Sequence, residues 1–174
     1  MMSRITLALF AVLMLSACAD SLAPPVAVQA LATDKKKELR ISDVSAEASP
    51  GVPIAPFEMD RIVQRIKIEI GSQAPNALVN SPAAEGTQPV RMRVVFTQYD
   101  RGNSFARFML AGLGQIHIDA DVLLMDGING EVVGRYKVSK DFSFGGVYGG
   151  STKIEDVEVG FAKSVAAVVS GKTS

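Results

Sequence analysis

The chain has 174 residues, and 18 lysines and arginines balance 18 aspartates and glutamates, leaving a formal net charge of zero. That balance offers no electrostatic case for nucleic acid. With one histidine, one cysteine and no tryptophan, most metal and acid–base schemes lack their residues, and the length predicts one folded domain.

Arg4 supplies a small positive start, Ile5 to Leu15 an apolar run, and Leu15-Ser16-Ala17-Cys18 follows. The run is well short of the ~20 residues a membrane helix needs, so residues 1–17 read as a signal peptide. Small residues before a cysteine at this point resemble the bacterial lipobox. That resemblance implies that Cys18 is diacylated on sulfur, becomes the mature N-terminus and is then N-acylated. The chain is then anchored to a membrane by lipid rather than spanning it. The residue after the cysteine is Ala19, not the aspartate that retains lipoproteins at the inner membrane, and Asp20 comes one position late. The resemblance therefore implies the inner leaflet of the outer membrane, facing the periplasm. As the only cysteine, Cys18 leaves no disulfide to form.

Residues 18–37 read as a lipidated tether, with Pro24-Pro25, many alanines and no period of two. Lys35-Lys36-Lys37 is too short for a convincing lipid-binding basic patch and reads as a solvated linker end. The domain is expected over 38–172. Leu39 to Val44 alternates as a first strand. Pro50, Pro53 and Pro56 make a stiff loop, and Pro56 suits a first helical turn. Met59, Val63, Ile66 and Ile70 then recur at helical spacing, with Glu58 and Asp60 near the positive end of the dipole and an end near Gly71. Val90, Met92, Val94 and Phe96 alternate with Arg91, Arg93, Val95 and Thr97, which predicts a second strand. A short helical turn follows around Phe105.

Ile116, Ile118, Ala120, Val122 and Leu124 form one face of a long strand, and Val132, Gly134, Tyr136, Val138 and Phe142 one face of its return. Asn129-Gly130 alone suggests a two-residue turn, but that register would set Val122 opposite Lys137. Paired residues share a sheet face, so the pattern forbids it. A three-residue loop, Ile128-Asn129-Gly130, with Gly130 at positive φ sets Val122 opposite Tyr136, Ala120 opposite Val138 and Asp121 opposite Lys137. Arg135 and Asp119 are then diagonal neighbours of that charged pair. A last helix is marked by Thr152-x-x-Glu155 at capping-box spacing, the stripe Ile154, Val157, Phe161, Val165, Val168, and Gly171 as its stop. One-sided strands with helices between them predict an α+β fold. It is a two-layer α/β sandwich in which a mixed or antiparallel sheet of about four strands carries helices on one face.

No catalytic or metal constellation is found, and no cofactor is implied. His117-x-Asp119-x-Asp121 puts three polar ligands on one strand face about 7 Å apart, with no matching cluster nearby. Phe144-Gly145-Gly146-Val147-Tyr148-Gly149-Gly150 lacks the spacing of a phosphate loop and reads as a glycine hinge. The serines have no elbow motif and only His117 as a base. Two loops bracket the strand ends, and loops on a rigid sheet are where binding residues collect. Arg101, Arg107 and Tyr148 are therefore the candidate partner-binding residues, and replacing Arg101 or Tyr148 by alanine is expected to leave stability unchanged.

The lipobox, Arg107-Phe108 followed by Gly112-x-Gly114, the strand ending in Asp126-x-x-x-Gly130-Glu131-Val132, a glycine-rich loop and a final helix resemble bacterial lipoproteins of the domain-of-unknown-function 4410 type. Asn129 stands where that type would carry Thr or Ser. The resemblance implies an envelope location and no established activity. The reading is a non-enzymatic lipoprotein that presents a binding or scaffolding module to envelope proteins. The alternative is a small-molecule or glycan-binding domain using the loops 101–107 and 145–150.

Overall fold

Val26–Gln29 (β1), Ile41–Ala48 (β2), Val90–Asp100 (β3), Ile116–Asp126 (β4) and Val132–Phe142 (β5) form a single sheet. The computed structural model describes residues 24–32, 39–78, 89–110 and 113–171. The signal peptide, Cys18, the lysine run 35–37 and Gly112 lie outside them. Strand order is β1-β5-β4-β3-β2. β2 and β3 are parallel and the other pairs antiparallel, so the sheet is mixed. A parallel pair needs a crossover, and the helix Pro56–Gln73 (α1) supplies it. Ser104–Met109 (α2), Gly146–Ser151 (α3) and Ile154–Ser170 (α4) complete the order.

The long helices α1 and α4 pack on each other and cover one sheet face, α1 over β2 and α4 over β4 and β5. Ile62, Ile66 and Ile70 of α1 and Phe161 and Val165 of α4 meet Met92, Val94, Phe96 and the buried face of β4. The Phe96 and Phe161 rings lie 5.6 Å apart at the centre of this core. The architecture is the expected α+β sandwich with helices on one face. Among the described residues there are five strands rather than the expected four or so, because Val26–Gln29, in the segment read as tether, pairs with β5. β2 also starts two residues later than expected and runs to Ala48.

The hairpin reaches its expected register by another route. Val122 faces Tyr136, Ala120 faces Val138 and Asp121 faces Lys137. The loop, however, is four residues, Gly127–Gly130, closed by the Gly130 N–H donating to the Asp126 carbonyl at 3.0 Å and the Asp126 N–H donating to Glu131 at 2.8 Å. Leu124 pairs with Gly134 and Met125 with Val132, so Val133 is an extra residue that returns the strands to phase. Gly130 does hold φ 75°, as its place in the turn requires. The Asp126 carboxylate fixes the loop by accepting from the Ile128 and Asn129 N–H groups.

Two helix signals shift. The glycine stretch read as a hinge is the helix α3. The cap of α4 falls one residue late: the Lys153 N–H donates to Asp156 at 2.9 Å, while the Thr152 hydroxyl donates back to the Tyr148 carbonyl of α3. In α1 the expected Glu58 does serve the N-terminus, accepting the Ala55 N–H at 2.8 Å.

Candidate functional site

At the end of the sheet where β3 stops, β4 starts and β5 stops, α2 and α3 pack side by side. The sequence Ser104–Met109 is helical because Asn103 caps it, its side-chain oxygen accepting the Ala106 N–H at 2.9 Å. The polarity of this helix is inverted. Arg107 points inward and is 2% exposed, whereas Phe105, Phe108 and Met109 face outward, with Leu110 and Leu113 exposed beyond them. A surface helix in water ordinarily does the opposite.

Arg107 is satisfied by three backbone carbonyls. Its Nε donates to Gly149 at 2.9 Å, one terminal nitrogen to Gly114 at 2.6 Å and the other to Thr152 at 3.0 Å. Arg107 and Gly114, two of the motif residues, thus meet in space. Gly114 holds φ 69° and a Cβ there would collide with the Asn103 carbonyl, so the neck of the α2 loop requires glycine. Arg107 is a staple between α2, α3 and the start of α4, and its buried guanidinium is not presented to a partner.

Arg101 is also committed. Its Nη2 lies 2.6 Å from Glu58 Oε2, and its guanidinium stacks 5.3 Å from the Tyr99 ring centre. Glu58 is buried. Burial pushes its carboxyl pKa up, but hydrogen bonds from Arg101, the Ala55 N–H and Tyr99 outweigh that and hold it below its ordinary value. The Tyr99 hydroxyl lies 2.8 Å from Glu158 and 3.2 Å from Glu58. Burial, with donation to Glu158, raises the Tyr99 pKa. Glu158 is fully buried and receives both prongs of Arg61 at 2.9 and 2.6 Å. Glu58 and Tyr99 are both moved away from neutrality, the opposite of what general acid–base work needs. The network instead ties α1, β3 and α4 together. Of the three candidate residues, only Tyr148 is free of an ion pair or staple of this kind; it is exposed and forms an aromatic triad with Phe142 and Phe144 at 5.6 and 6.0 Å.

Sequence reasoning missed Glu58 and Glu158 as a network. Glu158 lies four residues after Ile154, on the buried stripe of its helix, and that position was the available clue. His117 has carboxylate partners of its own: its Nε2 lies 3.0 Å from Asp119, and its Nδ1 pairs with Asp141 across the strands. A groove of about 340 Å³ between the end of β5, α3 and α4 is lined by Lys140, Asp141, Phe142, Phe144, Tyr148 and Asp156 among others.

Among the described residues no helix is long and apolar enough to cross a membrane. No curated protein matches the chain. In solved structures the fold is shared with the PelC dodecamer from Paraburkholderia phytofirmans. TM-score is 0.52 at 10% identity over 75% of this chain and 86% of that one. A single-substitution variant of the same protein gives 0.51 over 75% and 88%. A protein of Caulobacter crescentus CB15 provisionally classed as a lipoprotein gives 0.44 at 16% identity over 74% and 85%, too low to carry an argument. At these identities the likeness is one of fold alone. Residues 28–146 match the model of a domain of unknown function, DUF4410, and the chain belongs to that family.

Proposed function

We propose that this protein is a lipid-anchored envelope protein, held through Cys18 at the outer membrane and facing the periplasm, that works as a non-enzymatic binding or scaffolding module. The observation that carries this is the inverted polarity of α2, which spends its arginine on internal carbonyls and its phenylalanines on the surface. Exposed apolar area of this kind marks a contact surface, for a bilayer or for a protein, rather than a reaction centre. PelC, which shares the fold, is a dodecamer, and a scaffold of repeated copies is one form such a module takes.

A second reading is favoured by the groove beside α3. Three aromatic rings next to lysine and carboxylate groups suit a glycan or another small polar ligand, stacked on the rings and hydrogen-bonded at its rim.

Radiolabelled palmitate is expected to enter the wild-type protein, which should fractionate with the outer membrane, and to be absent from Cys18→Ser. Equal labelling of the two overturns the anchor. Capture from crosslinked envelopes then separates the readings: a discrete protein partner supports scaffolding, whereas co-purified sugar supports the groove.

A further inference from the structure

The apolar end of the domain has a direction relative to the anchor. β1 runs antiparallel to β5, with Val26 opposite Lys137 and Gln29 opposite Arg135. The chain therefore enters β1, through Pro24 and Pro25, from the Phe142 end of β5, the end that carries α2 and α3. Six residue steps from Pro24 to Cys18 reach at most about 20 Å. The far end of the hairpin, at Ile128, lies roughly 30 Å from Pro24 at about 3.4 Å per strand residue. With Cys18 held in a bilayer, the leash lets the α2–α3 end reach the lipid surface and is too short to bring the hairpin turn there.

Phe105, Phe108, Met109, Leu110 and Leu113 project from α2 and its exit, and Val147 from α3. Resting on the proposed lipid anchoring, we infer that this end is a membrane-docking surface whose occupant is the phospholipid interface itself. The acyl chains at Cys18 confine the domain, and the α2–α3 residues enter the headgroup–acyl boundary, the usual depth of interfacial apolar faces. The arginine that a soluble helix would turn outward is held inward by the Gly149, Gly114 and Thr152 carbonyls, which leaves the outward face free of charge. The hairpin end and the solvent face of the sheet then point into the periplasm, free for proteins.

The test uses the full lipidated chain, whose native thiol is acylated. An environment-sensitive fluorophore is placed at Val147→Cys, Phe105→Cys or, for reference, Ile128→Cys, residues 78%, 72% and 74% exposed. The proteins are reconstituted through the anchor into phosphatidylethanolamine–phosphatidylglycerol vesicles with brominated acyl chains. Labels at 147 and 105 are expected to emit at shorter wavelength and to be quenched several-fold more than the label at 128. Equal, water-like emission at all three positions, on protein that carries palmitate, overturns the docking while leaving the anchor intact. Blue-shifted emission at 147 and 105 without bromine quenching also overturns it, because the surface is then covered by protein rather than lipid. Loss of palmitate itself overturns the anchoring on which the inference rests.

Discussion

The Arg107 side chain donates to the Gly149 carbonyl at 2.9 Å, and this contact joins two short helices across their seam. A six-residue helix is marginal by itself. Here α2 and α3 persist because one guanidinium satisfies carbonyls on both sides of their seam.

Replacing Arg107 therefore tests the staple. Arg107→Ala takes this donor from the Gly149 and Thr152 carbonyls, while Gly114 keeps the Asn103 N–H; at on the order of 1–3 kcal/mol each, a loss of about 3 kcal/mol is expected in urea unfolding. Arg107→Lys should recover little, because an ammonium cannot reproduce the planar fork. A midpoint within error of wild type for Arg107→Ala would show that the seam holds without it.

The Arg61–Glu158 pair should behave as a buried ion pair. Glu158 is fully buried, and the Arg61 side chain that meets it is 29% exposed. Arg61→Ala removes the bidentate partner and leaves Glu158 with the Tyr99 hydroxyl at 2.8 Å and Arg65 at 3.8 Å. A cost of about 3 kcal/mol is therefore expected, and Arg61→Leu combined with Glu158→Leu should recover at least half of that. A double-mutant cycle by chemical denaturation measures the coupling, and additive effects would refute it.

Glu58 gives the fold an acid limit. Its folded pKa lies below the ordinary 4.5, so its contribution is present above that value and is lost as pH falls through the lower, folded value. Urea midpoints followed from about pH 7 to about pH 3 should decline less steeply in Glu58→Gln than in wild type. Arg101→Ala removes the main counter to burial, so its decline should begin at higher pH. It should also be less stable at neutral pH, unlike the unchanged stability that sequence alone suggests. Identical acid limbs in all three proteins would remove Glu58 from the account.

What was legible in the sequence was local. Side chains alternate along a strand with a period of two, so the buried face of Ile116–Leu124 and its register with Tyr136 and Val138 follow from the residues alone. The α4 stripe from Ile154 to Val168 is legible for the same reason, at the helical period. The tertiary structure decided what depends on a distant partner. Val26–Gln29 has little pattern of its own and becomes a strand because β5 offers an open edge more than a hundred residues later. Glu158 can be buried only because Arg61 and Tyr99 meet it from other elements. Arg107 stands among apolar residues in Phe105–Leu110, where the sequence invites an exposed arginine and buried phenylalanines. The carbonyls of Gly149, Gly114 and Thr152 reverse that choice, because a forked cation satisfied on three sides can be buried at a helix seam that no single segment contains.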